Sequence, residues 1–291
     1  MAGGADCNPV FPPNGFTAVR GVLRSGNPKF RRRMKLPFKL TRRKFLGAAL
    51  LGVPVSAAAD ACWLEPEWLQ VRTVRIGKEK PSHRLVHFTD LHHKGDRALL
   101  ARVVAKINSL SPDFVCFTGD LVEEKEFLPE ALDLLRGITS PLYGVPGNHD
   151  YWSGADFSVI ARTFEATGGA WLVDVQTLTR DGRVNLIGAT GNHSPRVELR
   201  AGARNILLLH YPADVKQLGT QRLDLILAGH SHGGQVRLPF LGPLVLPTRV
   251  DEFDLGLFET KSGPLYVGAG IGWFHLNIRF RCRPEITVFE V

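Results

Sequence analysis

The chain has 291 residues, 44% of them hydrophobic, with 30 Gly and 19 Pro. That is enough chain for one large core or two modest ones, too apolar for a disordered tail, and too poor in periodic Gly for a fibre. The formal charge of +8 is concentrated in residues 1–61, which carry eleven Lys/Arg against Asp6 and Asp60; residues 62–291 carry 25 basic and 26 acidic side chains and offer no footprint for a nucleic-acid backbone.

No run of about 18 apolar residues is expected, which excludes a polytopic membrane protein. Residues 1–33 are rich in Gly, Pro and Arg and lack periodicity. The only methionines are Met1 and Met34, and a start at Met34 leaves a short basic segment before Arg42-Arg43. Residues 1–33 are therefore expected to be a disordered extension or a start-site artefact. Thr41-Arg42-Arg43-Lys44-Phe45-Leu46 opens a soft apolar stretch to Ala59, and Ala59-Asp60-Ala61 has the small-x-small pattern of a cleavage site. Residues 34–61 are expected to be a twin-arginine (Tat) export signal or a membrane anchor. The Tat translocase and a membrane surface are then partners, and the periplasm or cell envelope is the destination. The plainer alternative is a basic amphipathic helix. Cys62, directly after Ala61, opens a lipoprotein reading that Ala59 and Asp60 disfavour. The cysteines Cys7, Cys62, Cys116 and Cys282 form no Cys-x-x-Cys, which argues against a disulfide framework or a thiolate zinc site. A Cys62–Cys282 bridge is the one pairing left open.

From residue 71 the chain alternates. Short β-rich runs fall at 71–76, 85–89, 114–118, 142–145, 171–173, 184–189, 206–210 and 225–228, and later near 253–258, 265–267 and 286–289. Helical patterns fall at 97–110, 129–135 and 155–167, with a short one after Pro212. This order predicts an α/β layered fold in one domain, residues 62–291. The stretch 235–248 is too rich in Pro for a central strand and is expected to be a long apolar loop.

Ligands of α/β sheets bind beyond the C-terminal ends of the strands, and here the strand ends are polar. They deliver Asp90 and His92, then Gly119-Asp120, then Asn148-His149-Asp150, then His210, then His230 and His232. Oxygen and nitrogen donors without thiolate suit Mn²⁺, Fe, Zn²⁺ or Co²⁺ rather than Ca²⁺. Asp120 is able to bridge two cations, and a pair about 3.5–4 Å apart suits in-line phosphoryl displacement.

Asp90-x-His92, Gly119-Asp120, Gly147-Asn148-His149-Asp150, a lone His210 and Gly229-His230-Ser231-His232, in that order, resemble the calcineurin-like metallophosphoesterase superfamily. The Gly-His-Ser-His-Gly-Gly-Gln form, the apolar loop and the Pro-Glu-Ile-Thr-Val-Phe ending resemble its YkuE/YaeI-like bacterial subgroup. The resemblance implies a four-layer α/β sandwich, two central mixed β-sheets flanked by helices. It implies two divalent metal ions, Mn foremost. Asp90, His92, Asp120 and His232 would hold one; Asp120, Asn148, His210 and His230 would hold the other. His149 would protonate or stabilise the leaving oxygen, and Asp150 would orient His149. The implied activity is hydrolysis of a phosphodiester or pyrophosphate. The subgroup is also similar to UDP-2,3-diacylglucosamine hydrolases of lipid A biosynthesis, which points to a lipid-linked substrate.

His83, His87, His93 and His275 are expected to be structural. Gly191-Asn192-His193 repeats part of a motif but lacks the following Asp. The loop 238–246 and the segment 271–275 are open between core and an exposed apolar rim. Arg279, Arg281 and Arg283 alternate, as phosphate contacts or as a solvated strand face. Two alternatives are a scaffold that keeps the fold without catalysis and a nuclease; the intact donor set disfavours the first and the near-neutral body the second.

Overall fold

The computed structural model describes residues 41–78, 80–191 and 197–291. The expectations for residues 1–33, for a start at Met34, for Cys7 and for Asn192-His193 lie outside these residues. The chain divides into a unit Met1–Leu46 and a unit Gly47–Val291, and both large sheets belong to the second. Helix α1 (Arg42–Ala59) has no buried residue. With the turns that follow, it makes a 26-residue apolar helix, Arg42–Glu67, long and apolar enough to cross a membrane by length and composition. The expectation that no such run exists is corrected for this one segment: Gly52, Pro54 and Ser56 interrupt a strict run without removing the average apolarity.

The strands are, in chain order, β1 (Gln70–Arg75), β2 (Arg84–Phe88), β3 (Phe114–Phe117), β4 (Leu142–Gly144), β5 (Ala170–Trp171), β6 (Gln176–Leu178), β7 (Val184–Ala189), β8 (Arg204–Leu209), β9 (Leu225–Ala228), β10 (Arg237–Leu238), β11 (Gly242–Pro243), β12 (Gly256–Thr260), β13 (Gly263–Val267) and β14 (Glu285–Glu290). The helices are α2 (Arg97–Ser109), α3 (Leu128–Leu135), α4 (Asn148–Trp152) and α5 (Phe157–Ala166). One sheet has the order β1-β14-β2-β3-β4-β5, parallel except where β14 meets β2. The other has the order β12-β13-β9-β8-β7-β6, parallel except at its two edge pairs.

Period-two alternation sorts the strand residues into layers. Leu85, Phe114, Cys116 and Tyr143 of the first sheet meet Leu186, Leu208, Leu225 and Leu227 of the second in a shared core. The intervening Val86, Phe88, Val115 and Phe117 face outward onto α2, α3 and α5. The opposite face of the second sheet, with Leu207, Leu209, Ile226 and Val267, is covered by Val215 and Leu218 at the 3₁₀ helix Pro212–Gln217 and by Phe253. The result is the four-layer sandwich, with two mixed sheets flanked by helices. Its two helical layers are unequal.

Helix α2 shows why these segments fold locally. Leu100, Val103, Val104 and Ile107 repeat at the spacing of one helix face, and all are buried. Asp96 caps the start by accepting the Leu99 N–H at 2.9 Å, and Pro112 follows its end. The expected strands recur within a few residues. Three features differ. Strand β6 is a polar edge strand with no apolar run to announce it. Within 235–248 lies a two-residue hairpin, β10 against β11. Phe253 sits in the outer core, so β12 begins at Gly256.

Candidate metal centre

The C-terminal ends of β2, β3, β4, β8 and β9 open onto one edge where the two sheets meet. The Asp90 carboxylate accepts the His230 N–H at 3.0 Å, and His210 Nδ1 donates to the Thr118 carbonyl at 2.7 Å, so each sheet fixes donors of the other. All seven expected ligands are buried: Asp90, His92, Asp120, Asn148, His210, His230 and His232. Six of them, together with His149, fall into overlapping groups, Asp90-His92-His232, His92-Asp120-His149 and Asp120-His210-His230, each close enough to hold an ion, and Asn148 Oδ1 lies 3.0 Å from His210 Nε2.

The backbone is bent to achieve this. Asp90, His92, Asp120, His230 and His232 have φ of 53°, 40°, 60°, 68° and 48°. A non-glycine residue in this region costs about 1–2 kcal/mol, a kind of strain concentrated at functional sites. Gly119, at φ +96°, lets the strand end approach its neighbours: a Cβ there would lie 2.5 Å from Gly147 N and 2.7 Å from His210 Nδ1.

The donor set fits cations. The Thr118 and Thr248 carbonyls only accept, so His210 Nδ1 and His230 Nε2, at 2.7 and 2.9 Å from them, carry protons. In the neutral rings, His210 Nε2 and His230 Nδ1 are then lone pairs facing each other at 3.1 Å, beside Asp120 Oδ2. A cation shared between them, or a proton on His210 Nε2, relieves that arrangement. The local charge makes the same demand for positive charge: burial pulls the His210 pKa down, yet the Asp120 carboxylate outweighs it and holds the ring up to about 9. At the other group, the Glu123 carboxylate takes the proton of His92 Nδ1 at 2.8 Å, leaving His92 Nε2 3.0 Å from His232 Nε2. His232 Nδ1 is buried without a hydrogen-bond partner. Burial lowers His232 strongly and takes His230 to about 3, so both rings are neutral donors at neutral pH.

A family model described as calcineurin-like phosphoesterase matches residues 83–234. The chain belongs to the calcineurin-like phosphoesterase family. This phosphoesterase is 30% identical to the uncharacterized metallophosphoesterase YkuE of Bacillus subtilis, over 87% of this chain and 98% of that one. It is 26% identical to the phosphodiesterase YaeI of Escherichia coli, over 87% and 99%. It is 28% identical to the UDP-2,3-diacylglucosamine pyrophosphatase LpxG of Chlamydia trachomatis, over 83% and 94%. The chain is thus a hydrolase of the metallophosphoesterase class, with clustered His and Asp side chains suited to divalent metal ions.

Two site residues of the phosphoesterase differ from expectation. Asp150 does not touch the His149 ring. Its carboxylate accepts the backbone N–H groups of Asp120, Leu121 and Gly147 at 2.8–2.9 Å, pinning the Asp120 turn to the start of α4. The residue beside His149 Nδ1 is Glu123, at 3.1 Å. Reading the strand ends overlooked Glu123, although it stands three residues after Asp120, where the turn carries it back to the site.

The remaining expectations resolve individually. His87 is buried and bonds Thr118 Oγ1, His93 bonds Glu130, and His83 bonds Asp181, so all three have structural partners. Arg279 is neither a phosphate contact nor on a solvated strand: it is fully buried, and its guanidinium donates to the carbonyls of Ala269, Gly270, Gly272 and Cys282. Arg283 stacks over Trp68 at 3.7 Å. Cys62, Cys116 and Cys282 are free thiols. The 271–275 segment divides: Ile271 is core, while the Phe274 ring packs 5.5 Å from that of His149. The 238–246 loop exposes Phe240, Leu241, Leu244 and Val245, and Trp152, also exposed, lies 4.9 Å from His149.

Proposed function

We propose that this chain is a binuclear metal-dependent phosphoesterase that cleaves a phosphodiester or pyrophosphate bond. The observation that carries the reading is the pair of imidazole nitrogens, His210 Nε2 and His230 Nδ1, facing each other across 3.1 Å beside Asp120. Asp90, His92, Asp120 and His232 would hold one ion, and Asp120, Asn148, His210 and His230 the other. Two divalent ions held there, Mn²⁺ foremost, would supply Lewis acidity and would lower the pKa of a bound water toward about 7. Asp120 belongs to both proposed ligand sets. Its Oδ1 is also held by the His149 N–H at 2.8 Å, which fixes the carboxylate plane. His149 donates a proton to the leaving oxygen, and Glu123 stabilises its imidazolium.

The rim favours an acylated substrate. Trp152 and Phe274 flank His149, the proposed acid, and aromatic faces there accept an apolar chain better than water does. The pyrophosphatase LpxG supports a lipid-linked substrate, and the apolar helix Arg42–Glu67 supports action at a membrane, after Tat export or through anchoring.

The test is metal content of the purified chain together with hydrolysis of bis-p-nitrophenyl phosphate with and without Mn²⁺. Two metals per chain and Mn²⁺-dependent turnover are expected. Metal-free protein that stays inactive with Mn²⁺ would overturn the proposal in favour of a non-catalytic scaffold.

A further inference from the structure

We infer that the apolar N-terminal helix is retained in the working protein and seats one face of the domain on an anionic bilayer; the inference rests on the membrane-associated part of the function proposed above. The small-x-small motif Ala59-Asp60-Ala61 is not a linker between helix and domain. Ala59 closes α1, and the chain continues as a π-helical turn over Asp60–Leu64. Ala61 is 8% exposed, and its carbonyl accepts the backbone N–H of Arg279 at 2.9 Å. Arg279 is the residue whose guanidinium gathers four carbonyls in the domain interior. Just beyond, Glu65 and Pro66 are buried, and Glu65 Oε1 lies 3.7 Å from the Arg283 guanidinium. Residues 61–66 are therefore part of the domain wall. Recognition as an extended peptide needs free main-chain groups, and here the helix and the 279–283 segment already use them. A chain that folds before it meets a signal peptidase presents no extended cleavage site.

The surface beside this junction has the chemistry of a membrane interface. Trp63 and Trp68 are 73% and 55% exposed, an unusual cost for soluble tryptophans unless something covers them. Arg102, paired with Glu67 at 2.6 Å, and Lys106 are exposed on α2, and Arg283, 3.7 Å from Glu65, lies over the Trp68 ring. Tryptophans with neighbouring Lys and Arg, at the end of a helix apolar on every side, match the headgroup zone of an anionic bilayer. A protein partner would not account for the 18 residues of α1 without a buried face.

The test uses the full chain with a C-terminal tag, produced in a bacterium with a Tat system. Intact mass is measured on membranes washed with alkaline carbonate. A chain that starts upstream of Arg42 and stays in the pellet is expected; one that begins at Cys62, or is released by carbonate, overturns retention. The chain is then reconstituted in phosphatidylcholine vesicles with brominated acyl chains, with or without roughly 30% phosphatidylglycerol. Trp63→Ser with Trp68→Ser should remove at least about half of the tryptophan quenching. Should that variant fail to fold, Arg102→Glu with Lys106→Glu should abolish the extra quenching given by phosphatidylglycerol. Unchanged quenching in the folded variant overturns the seating. Hydrolysis of bis-p-nitrophenyl phosphate by the same samples separates the two readings: an active, unanchored chain overturns only this inference, and an anchored, inactive chain only the enzymatic one.

Discussion

His149 directs its Nδ1 at the Glu123 carboxylate, 3.1 Å away, and the same Oε2 accepts the Nδ1 proton of His92 at 2.8 Å. One carboxylate oxygen thus orients a proposed metal ligand and the proposed general acid together. Metal occupancy and proton transfer should therefore respond jointly to a change at residue 123.

Glu123→Gln should weaken metal binding by about 10–100-fold, as the loss of such an orienting carboxylate typically does. It should also shift the pH–rate profile. Burial lowers the His149 pKa, and Glu123 opposes that by favouring imidazolium. Without the charge the His149 pKa falls further, so the alkaline limb, where the acid loses its proton, moves to lower pH. Metal titration and kcat against pH check both parts; an unmoved alkaline limb would separate Glu123 from His149.

His149→Asn should keep the metals and lose about 10²–10⁴ in rate on alkyl phosphodiesters, the usual size of lost acid catalysis. The loss on p-nitrophenyl esters should be much smaller, because that leaving group needs no proton. Equal losses on the two substrates would show that His149 does not act as the acid.

Asp120→Asn should abolish turnover and lower metal content below two per chain, since the amide removes the charge of a carboxylate that two of the three donor groups, and both proposed ligand sets, share. Metal analysis beside an activity assay decides it. Full turnover would refute the two-ion site.

Gly119→Ala should cost as much activity as removal of a ligand. The added methyl meets the Gly147 backbone and the His210 ring, and φ of +96° is closed to alanine. Structural relief would have to displace Asp120. Circular dichroism and metal content distinguish a displaced centre from an unfolded chain.

His87→Phe should flatten the acid sensitivity of the metal-free protein. Burial takes His87 to about 3, below the value near 6.5 of an unfolded chain. Between those pH values the unfolded state binds the proton and the folded state does not, so stability is full above about 6.5 and falls as pH drops. Phenylalanine keeps the ring contacts with Tyr266 and Phe289 and removes the titration. Urea midpoints at several pH values should show a shallower decline for the variant; parallel declines would assign the sensitivity elsewhere.

Much of this was legible in the chain itself. Apolar runs such as 184–189 and 225–228 are strands because strands buried on both faces must be apolar throughout, and the spacing of Leu100, Val103, Val104 and Ile107 admits only a helix face. The proposed donors were legible for the same reason: Asp90, His92, Asp120, Asn148, His210, His230 and His232 stand just after strand cores, where a polar residue has no packing role. Tertiary structure decided what spacing does not encode. It turned Asp150 toward backbone N–H groups and brought Glu123 to His149, because the pinned turn after Asp120 sets which carboxylate faces the ring. It buried Arg279, where alternation with Arg281 and Arg283 suggested phosphate contacts or a solvated face, because the carbonyls of 269–272 and of Cys282 converge on its guanidinium. Local sequence determines which segments extend or coil, through propensity and periodicity. Which polar group meets which is set by the closure of two sheets onto one edge, and that closure is long-range.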